Sequence, residues 1–373
     1  MYKPKLKRLS IFILALVLTL TSVLSVTNDN VSFAAKQGTI KTETLKVHYI
    51  DVGQGDSIFI QLPNGQTSLI DGGPGSSSKT VVNYLKKQNV KKIDYLVVTH
   101  PHEDHIGGLP EVIKNFDIGK IYMPEVTHTT KAFENLLLAI KNKGRKITIT
   151  KAGDVLIDEK NIKYEALAPN SGSYDNLNNY SIVLKLKYKN NAFLFMGDAE
   201  KPSEDEILAA GYDIKADVIK VGHHGSNSSS GGKFITNVSP KHAVVSCGKG
   251  NSYGHPHKET VNRFIGNNIK LYRTDRDGTI IFTSDGNKIT VAKLGAQQKP
   301  NNKNTSPAKS TPPKTNKKPP TGSTSNKEAT VYITNTGSKY HKAGCRYLKK
   351  SKIPMKLSEA KSQGYTPCKV CNP

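Results

Sequence analysis

The run Thr99-His100-Pro101-His102-Glu103-Asp104-His105-Ile106-Gly107-Gly108 places three His and one Asp within six residues. It follows directly on residues 95–99, a short apolar, β-branched stretch that reads as a strand. Imidazole and carboxylate are ligands for Zn²⁺, Mn²⁺ or Fe²⁺. A tight loop after a strand can aim His100 and His102 at one ion, and Asp104 and His105 at a second. Two ions about 3.5–4 Å apart can hold a hydroxide and stabilise both oxygens of a displacement. Gly107 and Gly108 let the next helix start close to such ions. The bland alternative is a solvated polar loop, but histidines clustered at this spacing are rare by chance.

Outward from that run, strand-like and helix-like segments alternate. Residues 45–50, 57–61 and 68–70 read as strands separated by Gly-containing turns, and 79–87 as a helix. Residues 133–143 read as a helix ended by Gly144. Residues 181–188 alternate apolar and polar, and pair with 192–196 across Lys189-Asn190-Asn191. Ser203-x-x-Glu206 reads as a capping box opening a helix to Ala210. Strands at 218–221, 243–246, 270–273, 279–283 and 288–292 complete the pattern. Such mixing predicts a layered α/β structure with sheets inside.

Further motifs accompany the histidine run. They are His48-Tyr49-Ile50-Asp51-Val52-Gly53-Gln54-Gly55-Asp56-Ser57, Asp71-Gly72-Gly73, Phe195-Met196-Gly197-Asp198-Ala199 and Val221-Gly222-His223-His224-Gly225-Ser226. Together with His-x-His-x-Asp-His they resemble the metallo-β-lactamase superfamily over residues 46–283. Residues 51–57, His223-His224-Gly225-Ser226, Tyr253-Gly254-His255-Pro256-His257 and the stretch 272–278 narrow the resemblance. They are similar to the extracellular hydrolase domain of ComEC-type DNA-uptake proteins and their free-standing relatives. The transmembrane channel of that family has no counterpart in this sequence.

The resemblance implies a four-layer αββα sandwich and two divalent metal ions, Zn²⁺ or Mn²⁺. It implies that His100 and His102 ligate metal 1, that Asp104 and His105 ligate metal 2, and that Asp198 bridges both. One of His223 and His224 completes metal 2, with His223 preferred. Asp71, and Asp51 with it, would orient the histidine loop. Asp104, Asp198 and His255 are the candidate catalytic residues, His255 touching the phosphate or protonating the leaving oxygen. The superfamily pattern expects a third His on metal 1 between His105 and Asp198. Residues 175–181 contain none, and His128, in a predicted loop, is the only His in that interval. The ComEC-type branch shares this lack. Metal 1 is then expected to be weakly held, with oxygen-rich ligation favouring Mn²⁺. Lactam and thioester hydrolysis are not expected, because those branches keep that His.

Other readings stay open for single residues. Asp51 and Asp56 suit Asx-type turns, and Asp71-Gly72-Gly73 a plain turn. His257 suits a helix N-terminus, and His48 and His242 ordinary strand positions. Cys247 suits a small buried hydrophobe. Tyr253 suits packing or base stacking equally.

Residues 297–327 hold six prolines and seven lysines with no acidic side chain. Such a stretch cannot offset its chain entropy by burial and reads as an extended linker, 297–329. It separates a hydrolase domain at 37–296 from a module at 330–373, too small to be stable on its core alone. The module carries His341-x-x-x-Cys345 and Cys368-x-x-Cys371. These four residues supply a tetrahedral structural Zn²⁺ site and resemble small Ada-like metal-binding modules. A disulfide is the alternative, though three cysteines would leave one unpaired.

Lys3, Lys5, Lys7 and Arg8 precede an uncharged, mostly apolar run at 11–26, followed by Ser32-Phe33-Ala34. This reads as a signal peptide, 1–34, and predicts a secreted or extracellular protein. The net charge is +24; residues 1–34 carry four Lys/Arg and one Asp, leaving +21. That excess suits nucleic acid or another polyanion, including cell-wall polymer or a membrane surface, although general solubility explains it too. The resulting expectation is a secreted metal-dependent phosphodiesterase, foremost a DNase using a metal-bound hydroxide. The alternatives are a phosphoesterase acting on cell-wall phosphocholine or teichoic acid, and a non-catalytic polyanion-binding surface protein.

Overall fold

A computed structural model describes residues 43–295, 330–334, 339–349, 351–357, 360 and 365–373. The signal peptide expected at 1–34 and the linker expected at 297–329 lie outside the described residues.

Period-two alternation organises the sheets. In β1 (Leu45–Tyr49), Leu45, Val47 and Tyr49 share one fully buried face while His48 points to the other. The first sheet runs β15 (Ile289–Lys293), β14 (Ile280–Ser284), β1, β2 (Ile58–Gln61), β3 (Thr67–Ile70), β4 (Lys92–Val97), β5 (Asp117–Met123), β6 (Ile147–Ile149). The second runs β13 (Lys270–Arg273), β12 (His242–Val245), β11 (Val218–Lys220), β10 (Asn191–Phe195), β9 (Val183–Tyr188), β8 (Ile162–Ala168), β7 (Val155–Glu159). Val47, Tyr49, Ile60 and Val97 of the first sheet meet Tyr164, Leu184, Phe193 and Phe195 of the second. Outside the first sheet, Leu69 and Leu96 pack on Leu85, Val112 and Leu136 from helices Ser78–Lys87, Leu109–Asn115 and Lys131–Asn142. Outside the second, Leu194 and Val245 pack on Ile207, Phe234 and Phe264 from helices Lys201–Ala209, Gly232–Val238 and Lys258–Gly266. The result is αββα with three apolar seams. Each fully buried large apolar side chain contributes roughly 1.5–3 kcal/mol.

Each sheet has a parallel half: β3 to β6 in the first, β10 to β13 in the second. The loops leaving the C-terminal ends of β3, β4, β10, β11 and β12 carry Asp71, the histidine run, Asp198, His223-His224 and Ser246. Ligand sites form at such ends in open α/β sheets.

The expected capping box is absent. The helix begins two residues before Ser203, with Glu200 as N-cap and Pro202 in the first turn. Proline needs no partner for an N–H there, so it opens the helix and leaves Ser203 buried inside it. Glu206 instead accepts from the hydroxyls of Ser171 and Tyr174. Among the described residues, no helix is long and apolar enough to cross a membrane.

The described part of the C-terminal module has two strand pairs. Thr330–Ile333 runs antiparallel to Ile353–Lys356, and Lys339–Tyr340 parallel to Thr366–Pro367. Val331, Ile333, Tyr340, Met355 and Ala360 form its small core.

Candidate metal centre

Asp71 follows β3, and its backbone turns left-handed at φ 57°. That turn carries its fully buried carboxylate across to the end of β4. Oδ1 accepts the Thr99 N–H at 2.8 Å; Oδ2 accepts the Thr99 hydroxyl at 2.6 Å and His105 Nδ1 at 2.8 Å. Burial pushes the Asp71 carboxyl up, against the pull of His105 and Thr99. Donation from Nδ1 fixes the His105 tautomer and leaves the Nε2 lone pair facing the site. The two segments lie in backbone contact: Gly72 N–H donates to the His105 carbonyl at 2.7 Å, and Gly108 N–H to the Gly73 carbonyl at 2.9 Å. A Cβ on Gly108 would overlap the Gly72 carbonyl, which is why glycine stands there.

The 3-10 turn Gly222–Gly225 follows β11, with His223 at φ 47° and His224 at φ 51°. A left-handed backbone costs a non-glycine residue roughly 1–2 kcal/mol, and here it aims both rings inward. His224 Nδ1 donates to the Ser246 carbonyl at 3.0 Å. Its Nε2 then faces His105 Nε2 at 3.3 Å, Asp104 Oδ2 at 3.2 Å and Asp198 Oδ2 at 3.4 Å. His223 turns away: its Nδ1 lies 3.0 Å from Glu200 Oε1, and its Nε2 stays 3.9 Å from Asp198. The sequence preference for His223 as the ligand is therefore corrected to His224.

Ligand atoms of Asp104, His105, Asp198 and His224 all lie within 4.8 Å of one another. Among the described residues Asp198 Oδ1 is buried without a hydrogen-bond partner, although His105 Nε2 is 3.3 Å away. When His105 donates only from Nδ1, its Nε2 and Asp198 Oδ1 face each other as two acceptors across a space that a cation, or a proton in its absence, satisfies. The charges agree. Burial opposes protonation of His105, yet Asp198, Asp104 and Asp71 hold its pKa well above the ordinary value. Burial likewise opposes protonation of His224, and Asp198, Asp104 and Asp56 outweigh it. Burial raises Asp198, but His224, His105 and His223 hold it well below the carboxylate range. The bare chain keeps protons where a divalent ion can replace them.

A second position adjoins the first. His100 Nε2 and His102 Nδ1 are 3.0 Å apart, and His100 Nε2 is 3.8 Å from Asp198 Oδ2. Thr99 Oγ1 at 3.1 Å and Ser181 Oγ at 3.3 Å hold His100 Nδ1. Burial, with His105 and His102 nearby, keeps His100 neutral. Asp198 thus lies between two imidazole pairs. Residues 175–181 bring no imidazole: Asn178 reaches His223 at 3.4 Å, and Ser181 Oγ accepts the Asp198 N–H at 3.0 Å. His128 does approach, its ring 6.2 Å from that of His102.

Asp51 does not join the histidine loop. Its carboxylate accepts the Gly53 N–H at 3.2 Å, an Asx-type turn, and no hydrogen bond to the loop occurs among the described residues. The Asp56 carboxylate instead braces the later histidine turn, with Oδ1 3.5 Å from His224 Nδ1 and Oδ2 2.7 Å from Lys220 Nζ. His255 is buried with Nδ1 unpartnered among the described residues, 5.4 Å in ring separation from His223. Burial, then His223, His224 and His257, push its pKa down to about 3. A neutral imidazole with a free nitrogen suits contact with an oxygen better than protonation of a leaving group. His48 bonds Tyr84 at 2.7 Å and His242 packs on Tyr272, both as strand residues.

In the small module, His341 Nδ1 lies 3.1 Å from Cys345 Sγ and 3.9 Å from Cys371 Sγ. Cys368 completes a group within 4.8 Å, and all three cysteines are free thiols. One His and three Cys at this spacing suit a tetrahedral metal.

Residues 50–249 match the family model described as the metallo-beta-lactamase superfamily, and the chain belongs to that superfamily. It is a metal-dependent hydrolase of that class, whose fold binds divalent metals. It is 34% identical over 254 residues to ComE operon protein 3 of Bacillus subtilis (strain 168), covering 64% of this chain and 33% of that protein. It is 31% identical over 234 residues to Competence protein ComA of Neisseria gonorrhoeae, covering 62% of this chain and 31% of that protein. The chain thus spans about a third of the length of these curated relatives. Among solved structures, Igni18, a metallo hydrolase from Ignicoccus hospitalis KIN4/I, is similar at a TM-score of 0.45 and 18% identity, covering 64% of this chain and 98% of that one.

Proposed function

We propose that this chain is an exported metal-dependent phosphodiesterase that cleaves DNA. The observation that carries the reading is the convergence of Asp104, His105, Asp198 and His224 beside the unpartnered nitrogen of His255. Bound divalent ions supply a nucleophilic water and neutralise charge in an in-line displacement at phosphorus. The protein does the positioning. Asp71 and the Ser246 carbonyl fix His105 and His224 in one tautomer each. Asp198 reaches from one imidazole pair to the other. His255 donates to or accepts from an oxygen of the bound diester. Where only His100 and His102 offer nitrogen, further ligation by oxygen favours Mn²⁺ over Zn²⁺.

Nucleic acid as substrate is supported by relatives named for competence and by the basic charge. Export rests on the pattern of residues 1–34. The His341–Cys371 group holds a structural Zn²⁺.

The test incubates the purified protein with single- and double-stranded DNA in Mn²⁺, Zn²⁺ or chelator, beside Asp104→Asn. Metal-dependent cleavage that the variant loses is the expected result. No cleavage with any metal would transfer the reading to cell-wall phosphocholine or teichoic acid. Failure on those too would leave a polyanion-binding role.

A further inference from the structure

Beside the metal centre lies a solvent-open groove of about 400 Å³. It is lined by Glu125, Val126 and Thr127 from one segment and Tyr174, Leu177 and Tyr180 from another. Both lining segments adjoin residues of the centre along the chain. Thr127 precedes His128, whose ring is 6.2 Å from that of His102. Tyr180 precedes Ser181, whose Oγ touches His100 and the Asp198 N–H.

Two of the six lining residues are aromatic, and hydrogen bonds hold both. The Tyr174 hydroxyl donates to Glu206 and accepts the N–H groups of Asn170 at 3.1 Å and Ser171 at 2.9 Å. The Tyr180 hydroxyl accepts the Tyr174 N–H at 3.1 Å. The two rings meet edge to face, 5.1 Å apart at 80°. With the Tyr174 hydroxyl occupied inside the protein, its ring, Val126 and Leu177 offer apolar surface to a ligand, beside the hydroxyls of Thr127 and Tyr180. None of the six lining residues is a Lys or Arg, and the one charge is the Glu125 carboxylate. On a chain of net charge +24, a groove without a cation is unsuited to phosphate. It suits a flat heterocycle carrying N–H donors. Its volume falls within the roughly 300–1,000 Å³ of small-molecule sites.

We infer that this groove is a nucleobase subsite, holding one unpaired base next to the phosphodiester at the metal centre. The inference rests on the phosphodiesterase reading and refines its substrate to unpaired nucleic acid. Stacking on an aromatic side chain is tolerant of base identity, because every base has a π-face. A base inside a duplex cannot enter such a groove without leaving the stack.

The experiment compares two diesters with the full chain and Mn²⁺: thymidine 5′-(p-nitrophenyl phosphate) and methyl p-nitrophenyl phosphate, which lacks a base. The quantity read is the ratio of their KM values. The wild type is expected to favour the thymidine ester about tenfold, and Val126→Asp to bring the ratio near one. Leu177→Ala, a milder change, is expected to lower it severalfold. Hydrolysis of both esters at a wild-type ratio of one, or a ratio unmoved by both variants, would overturn the base subsite and leave the phosphodiesterase reading intact. Hydrolysis of neither ester would overturn both.

Discussion

Lys220 Nζ lies 2.7 Å from Asp56 Oδ2, and both side chains are fully buried directly behind His224. Burial raises the Asp56 carboxyl, but Lys220 and then His224 outweigh it and keep it ionised. Lys220 also donates to the Val221 carbonyl at 2.8 Å, at the entrance to the turn that strains His223 and His224. The pair therefore ties the first long loop to the late histidine turn. Breaking one partner of a buried pair costs about 3–5 kcal/mol, because the other charge is left uncompensated. Lys220→Met is expected to lose stability on that scale in urea unfolding, and Lys220→Met with Asp56→Leu to recover most of it. A single variant within about 1 kcal/mol of wild type would refute the structural role.

Asp71 accepts three hydrogen bonds, one of them from His105 Nδ1. Asp71→Leu keeps the volume but removes every acceptor. His105 then loses the partner that sets its tautomer. Removing such a partner typically weakens metal binding 10–100-fold. Calorimetric titration with Mn²⁺ checks this, and unchanged affinity would separate Asp71 from metal binding.

Glu204 gives a pH signature. Its buried carboxylate accepts the N–H groups of Ser230 and Gly231, where the helix after the histidine turn begins. Burial outweighs those bonds and raises its pKa from 4.5 to about 7. A group raised on folding contributes its stability in full below the unfolded value and loses it as pH rises through the folded value. Stability should therefore fall between pH 4.5 and about 7, by up to about 3 kcal/mol. Glu204→Gln should flatten that slope. An equal slope in the variant would assign it to other groups.

The sequence was legible where chemistry restricts residue type. Metal binding needs His and Asp at fixed points after strands, so the run 100–105, Asp71 and Asp198 stood out. The choice between His223 and His224 was not legible. They are adjacent, and which ring enters is set by two left-handed backbones that residue identity does not announce. Lys220 ends an otherwise apolar strand and reads as a solvated charge until its distant partner Asp56 is seen. Strands β7 and β8 escaped because register shifts interrupt their period-two pattern, between Val155 and Ile157 and between Ala166 and Ala168. In β5, exposed Asp117 and Lys120 flank a glycine and blur the alternation in the same way.

The small module makes a separable prediction. Among the described residues, the segments that contribute His341, Cys345, Cys368 and Cys371 are joined by a two-residue strand pair, beside a core of five buried residues. A core of that size cannot carry a fold alone, so a bound ion would supply the difference. Cys368→Ser should remove one tightly held Zn²⁺ per chain, measured by release to a chromophoric chelator, and raise proteolytic cleavage within residues 330–373. Metal held at Asp104, His105, Asp198 and His224 should be unaffected, because those ligands come from other loops. A variant with the full metal content would mean that the thiols serve another purpose, and a disulfide detected by mass in the wild type would name it.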